Sequence, residues 1–294
     1  MAAVGHSLGR SRTGVLEPKP RFRRDACARI LGLRSHFEPT LNGPHKIQPR
    51  PGRWEACLDP RPPPCQTVAM FEHKPQPGWI AVEEFLTDTV VHPNGSLQRA
   101  VQSAVDAGMP PIEVTPNAGK LLKLLVQVSG ARRVLEIGTL AGFSTIWMAQ
   151  GLPDDGRLVT CEYLTKHAEV ARANLDAAGV GHKVEIRIGP ALDSLAALEA
   201  EGQEPFDFVF IDADKENDSN YLEWAVRLGR PGTTVVLDNA VWEGAVLETS
   251  LDPVNAPGIV GALELMGNHP RLDATVIQTV GSKGWDGFAL AVVR

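Results

Sequence analysis

The sequence predicts an α/β protein: a mostly parallel, seven-stranded sheet covered by helices on both faces and closed by an antiparallel hairpin. Three observations carry this reading. From residue 133 onward short apolar runs alternate with helical stretches, the pattern of βαβ units and hence of a parallel sheet. The first run ends in a glycine-bearing turn, Gly138-Thr139-Leu140-Ala141-Gly142, that leads into a helix. The last two runs, 274–280 and 288–293, are joined by Gly281-Ser282-Lys283-Gly284-Trp285-Asp286-Gly287 and read as an antiparallel pair.

The elements follow in order. Residues 1–69 hold ten arginines, among them Arg10, Arg12, Arg21, Arg23 and Arg24, with few acids and proline clusters such as Pro60-Arg61-Pro62-Pro63-Pro64. No helical or alternating period survives these prolines, so this stretch is expected to be a disordered extension. It is either an inert or upstream segment ahead of a natural start at Met70, a transit peptide, or a basic arm. The body is 70–294. Helices are expected over 80–91 and 96–107, separated by His92-Pro93-Asn94-Gly95, with this first segment serving as a lid over a pocket. Thr115-Pro116 opens another helix with a cap and a first-turn proline. Strands at 133–137, 157–161, 184–188, 206–211 and 233–237 then alternate with helices at 142–150, 166–178, 191–200, 220–228 and 258–266.

Composition excludes some functions. The chain of 294 residues is 43% hydrophobic with a formal net charge of −6, which argues against a nucleic-acid-binding body. No apolar run approaches the roughly 18–20 residues of a membrane span. Cys27, Cys57, Cys65 and Cys161 form no zinc-like spacing. A reducing, cytoplasmic setting is expected.

Gly138, with no Cβ in the way, lets a ligand approach the backbone closely. Glu136-Ile137-Gly138, with Thr139 and the rest of the turn, lacks the G-x-G-x-x-G spacing that seats a pyrophosphate. The acid before the glycine suits a cationic or hydroxyl-rich ligand. Glu162 ends the next strand, where an acid can accept hydrogen bonds from ribose hydroxyls. Each acid alone reads equally as a strand-end residue with an ordinary partner; together they favour a nucleoside site. An NAD-dependent oxidoreductase using the Gly138 loop and Glu162 is the alternative, with the missing third glycine and the terminal hairpin against it.

These motifs, together with Leu152-Pro153-Asp154-Asp155-Gly156, Gly189-Pro190-Ala191, Ile211-Asp212-Ala213-Asp214-Lys215, Asp238-Asn239 and Lys283-Gly284-Trp285-Asp286-Gly287, resemble those of the cation-dependent S-adenosylmethionine O-methyltransferases. That family includes bacterial members and the plant caffeoyl-CoA enzymes, with catechol O-methyltransferase a more distant relative. The resemblance runs from about residue 112 to 294. It implies a Rossmann-like class I methyltransferase fold, S-adenosylmethionine as donor, a catechol-like or phenolic acceptor and a homodimer.

The strand ending at Asp212 and the strand ending at Asp238-Asn239 should be neighbours. Two carboxylates and an amide oxygen are hard ligands that suit Mg²⁺ first, then Mn²⁺ or Ca²⁺. The resemblance implies the same trio as metal ligands and places a cofactor contact at Asp214. It puts Lys215 where the catechol enzyme carries its proposed general base; a plain electrostatic stabiliser is the other reading. Val114 or Thr115, Ser144 and Ala191 are further cofactor contacts in this reading, or local capping and packing residues. Trp242 either walls an aromatic substrate or belongs to the core. Trp285, where many bacterial relatives carry tyrosine, bears on substrate preference.

Overall fold

In a computed structural model that describes residues 75–294, each of the seven apolar runs forms a strand. They are β1 (Arg133–Ile137), β2 (Arg157–Glu162), β3 (Val184–Ile188), β4 (Phe206–Ile211), β5 (Gly229–Asp238), β6 (Leu272–Gly281) and β7 (Gly284–Val293). The expected tail, residues 1–69, and Cys27, Cys57 and Cys65 lie outside the described residues. The strands make one sheet of order β3-β2-β1-β4-β5-β7-β6. β1 to β5 pair in parallel, whereas β7 runs antiparallel to both β5 and β6. The order reverses between β1 and β4, so the cleft beyond their carboxyl ends is where this architecture accepts a ligand.

The helices are α1 (Pro77–Leu86), α2 (Gly95–Asp106), α3 (Pro116–Val128), α4 (Phe143–Gly151), α5 (Thr165–Ala177), α6 (Ala191–Ala200), α7 (Asp218–Leu228) and α8 (Ala256–Asn268). Alternation along each strand divides the core. Leu135, Ile137, Val209, Ile211, Val235 and Leu237 point to the face packed by α6, α7 and α8. Val134, Leu158, Phe208, Phe210 and Val236 point to the face packed by α2 to α5. Each core side chain removed from water contributes about 1.5–3 kcal/mol, which holds the strand ends, and whatever they carry, in fixed register.

Several boundaries differ from the sequence reading, most at the first helix and the hairpin. The helix expected over 80–91 starts at Pro77 and gives way to a π-helical turn, Thr87–Val91. His92 ends it with φ 49°, because a residue before proline is barred from right-handed helix. The hairpin connection shrinks to Ser282-Lys283: Gly284 and Gly287 look like turn residues in sequence but pair within the sheet, opposite Gly281 and Gln278. The lid expectation divides as well. α1 faces the cavity described below, while α2 is anchored in the core through Leu97 and Ala100 and through a Ser103–Asn174 hydrogen bond. Among the described residues no helix is long and apolar enough to cross a membrane.

Candidate active site

The glycine turn is built by its neighbours. Gly138 adopts φ 98°, and a Cβ there would lie 1.9 Å from the Asp212 carbonyl oxygen. Its N–H donates to the Cys161 carbonyl at 3.0 Å, and the Asp212 N–H donates to the Ile137 carbonyl at 2.8 Å. The missing side chain is therefore demanded by the end of β4; in sequence it read as room for a ligand. Glu162 likewise has local work. Its carboxylate accepts from the backbone N–H of Thr139 (3.2 Å), Leu140 (2.9 Å) and Leu164 (3.0 Å), and lies 3.2 Å from His167 Nδ1. This acid holds the turn in shape while lining the cavity. Thr139 is pinned further by its hydroxyl, 2.5 Å from that of Thr160.

Glu136 sits on the opposite face of β1, fully buried under the first turn of α4. Ser144 and Thr145 donate hydroxyl hydrogen bonds to its two oxygens at 2.6 and 2.5 Å. Burial pushes this carboxyl up to about 7, against those hydrogen bonds. Glu136 does not line the cavity, whereas Ser144 does.

The second cluster stands on β4 and β5. Because Ile211 pairs with Leu237, the residues that follow, Asp212 and Asp238-Asn239, emerge side by side. Asp238 is pushed up to about 7 by burial and by the Asp212 charge, with Lys215 pulling it back. Asn239 holds a left-handed backbone, φ 61°, uncommon for a residue with a side chain. Asp286 of β7 fixes it there. This carboxylate accepts from Asn239 Nδ2 (2.8 Å) and from the N–H groups of Trp242 (2.9 Å), Val241 (3.2 Å) and Gly287 (2.8 Å). With its amide nitrogen taken, Asn239 has its Oδ1 left as a donor atom. Among the described residues no three His, Cys, Asp or Glu side chains group as a metal site, so a cation here would have two carboxylates and this amide. That hard-oxygen set, with two acids that repel until something neutralises them, fits a divalent cation.

Lys215 is buried, and its Nζ lies 3.0 Å from Asp212 Oδ1. Burial lowers its pKa, but the charges of Asp212, Asp218 and Asp238 outweigh that and raise it. Asp214 faces the same cavity with one oxygen taken by Tyr221 and the other by Asn217. Asp218 lies deeper: it is fully buried, and burial pushes it up to about 7, with Lys215 lowering it.

Both clusters open into one cavity of about 1450 Å³. Gly138, Thr139, Ser144, Glu162, Ala191, Asp212, Asp214, Lys215, Asp238 and Asn239 all line it, as do Val114 and Thr115. Thr115 also caps α3, accepting from the Ala118 N–H at 3.3 Å. Trp242 walls the acid end, with its indole N–H on Asp252 at 2.7 Å. Trp285 stands outside the cavity lining, its indole donating to Gln278 at 2.9 Å. The roof comes from α1 and the hairpin tip, where Glu83 accepts the Ser282 N–H and Lys283 reaches the Pro111 carbonyl at 2.6 Å. Sequence reasoning missed Asp286, His167 and Asp218. Only Asp286 carried a signal, as the acid within Lys283-Gly284-Trp285-Asp286-Gly287.

Comparison with known proteins decides the family. The O-methyltransferase family profile matches residues 88–291. The chain belongs to that family. It is an enzyme with a Rossmann-like methyltransferase fold, as the resemblance implied. This methyltransferase is 53% identical over 219 residues to a protein named catechol O-methyltransferase from Mycobacterium tuberculosis, covering 74% of this chain and 98% of that one. It is 35% identical over 168 residues to caffeoyl-CoA O-methyltransferase 2 of Zea mays, covering 56% of this chain and 64% of that protein. The crystal structure of an O-methyltransferase from Bacillus cereus, in complex with SAH, superposes with TM-score 0.72 at 48% identity, covering 74% of this chain and 99% of that one. None of these findings supports the oxidoreductase alternative.

Proposed function

We propose that this methyltransferase carries a methyl group from S-adenosylmethionine to a hydroxyl of a catechol-like or phenolic small molecule, with a divalent cation, Mg²⁺ first, on Asp212, Asp238 and Asn239. The observation that carries the proposal is the meeting of the β1–β2 glycine turn and the β4–β5 acid cluster in one cavity. The first suits a nucleoside and the second a hard cation and a small oxygen nucleophile. The similar proteins support both halves: the Bacillus cereus structure is a complex with SAH, and the other two are named for catechol and caffeoyl-CoA.

In this reading the donor lies along Gly138, Thr139 and Glu162, between Val114, Ser144, Ala191 and Asp214. The acceptor oxygen lies between the donor methyl and Asp238-Asn239. Transfer forms an O–CH₃ bond as the S–CH₃ bond breaks, and the hydroxyl proton leaves the acceptor. A bound cation would supply the acidity that makes a phenol an anion near neutral pH. The chain supplies the rest. Asp286 orients Asn239, Trp242 walls the ring, and α1 with the hairpin tip excludes water, so that the reactants are held in line. Lys215 faces the reacting oxygen, as base or as counter-charge. The homodimer and the cytoplasmic setting belong to the proposal too, and sedimentation of the purified protein checks the first.

The test is methyl transfer from labelled S-adenosylmethionine to a panel of catechols, with Mg²⁺ and again with excess EDTA. Transfer that stops on chelation is expected. Transfer that survives it removes the cation, and failure of the donor to bind removes the nucleoside reading as well.

A further inference from the structure

Lys215 and Asp218 lie one turn apart where the segment after β4 enters α7, and both are buried. The ammonium makes a single hydrogen bond, to Asp212, although it carries three donors. Neither oxygen of Asp218 has a hydrogen-bond partner. A buried carboxylate without partners is among the most unfavourable groups a fold can keep. Its only compensation is the charge of nearby Lys215 and the N-terminus of α7, where Asp218 is the first residue. α8 seals this turn so tightly that a Cβ on Gly258 would stand 2.0 Å from the Lys215 carbonyl oxygen.

The arrangement has two seats for one cation. Asp212 is occupied by the ammonium, and Asp218, without a hydrogen bond, lies on the same short turn, close enough for the two charges to act on each other. We propose that Asp218 is the second seat: when a divalent cation takes Asp212, the Lys215 ammonium leaves that carboxylate and pairs with Asp218. The inference rests on the metal reading above. An ammonium and a divalent cation crowded on one carboxylate repel each other, and an anionic seat one turn away removes that repulsion without backbone movement. Asp218 is thus a positioning residue. It gives the Lys215 charge a counter-ion while freeing Asp212 to bind metal.

Mn²⁺ binding to the full chain tests this, by calorimetry and by the loss of free-ion electron paramagnetic resonance signal. The proteins are wild type, Asp218→Asn, Lys215→Met and the double variant. Asp218→Asn is expected to weaken Mn²⁺ binding roughly tenfold to a hundredfold, the scale of one charge-assisted hydrogen bond. In the Lys215→Met background the same change should alter binding by less than about twofold, because no ammonium needs a seat. Equal weakening in both backgrounds would make Asp218 a remote negative charge and overturn the proposal, as would no weakening in either. Should Lys215→Met fail to fold with Asp218 left unpaired, the double variant still decides. It is expected to bind Mn²⁺ at least as tightly as wild type, and weaker binding overturns the idea. A wild-type protein that binds no Mn²⁺ brings down the metal reading itself, a result distinct from either of these.

Discussion

Replacing Gly138 with alanine tests how the site is assembled. The new methyl group would be placed 1.9 Å from the Asp212 carbonyl oxygen and 2.7 Å from its carbon. Both are backbone atoms, so no side-chain rotation relieves the contact, and the oxygen must retreat by about 1.5 Å to reach ordinary separation. The φ of 98° adds strain for any residue with a Cβ, about 1–3 kcal/mol. Displacing the end of β4 also loosens the 2.8 Å bond from the Asp212 N–H to Ile137. Together these give a loss of about 3–5 kcal/mol. For a body of this size that corresponds to a melting temperature lowered by roughly 6–20 °C. Differential scanning calorimetry and urea unfolding measure it. Because Asp212 moves with its carbonyl, turnover under saturating donor should also fall by about a hundredfold. A variant within 1 kcal/mol of wild type that still turns over normally would refute the assignment of Gly138 to strand packing.

Three further outcomes are expected. Asp286→Ala removes the acceptor of four hydrogen bonds around Asn239 and Trp242; stability should fall by about 2–4 kcal/mol, and metal binding should weaken with donor binding intact, both readable by calorimetry. Lys215→Met should cut kcat by a hundredfold or more while leaving donor affinity unchanged; unaltered turnover would remove Lys215 from the mechanism. Glu136, with its folded pKa raised from 4.5 to about 7 by burial, binds its proton more tightly folded than unfolded. Its contribution is therefore fully favourable below about pH 4.5 and is lost as pH rises to about 7, a swing on the order of 3 kcal/mol. Glu136→Gln does not titrate, so its stability relative to wild type should improve between pH 5 and pH 8; a constant difference would show that the carboxyl is ionised throughout.

Much of this was legible because parallel strands buried on both faces are written as continuous apolar runs. The polar residues that break them, Asp212, Glu162 and Asp238, necessarily fall at the carboxyl edge. Chain order then places β4 and β5 together, which is why the acid cluster could be read before any geometry. What could not be read depends on contacts between distant segments. Gly138 and Asp212 are far apart in the chain, so the glycine read as space for a ligand although the neighbouring strand fills it. Glu162 read as an acid with free lone pairs, yet the turn it braces supplies its donors. Asp286 gains its meaning only when β7 lies beside β5. Asp218 looks like any acid at a helix start, where most are solvated; here that start is buried, with α8 packed against the turn before it. Trp285 pairs across the hairpin, and one-residue alternation decides whether such a side chain meets the cavity or turns away.

The placement of β7 has a kinetic consequence. It follows β6 in the chain yet inserts between β6 and β5. The slot alongside β5 must therefore stay open until the hairpin docks as a unit, a long-range step of the kind that slows folding. The glycine turn belongs to β1 and β2, braced by β4, and needs none of this. Asp286, which holds Asn239 in its left-handed conformation, arrives only with the hairpin. During refolding, donor binding should return ahead of turnover, and the interval between them would time the docking of the final two strands.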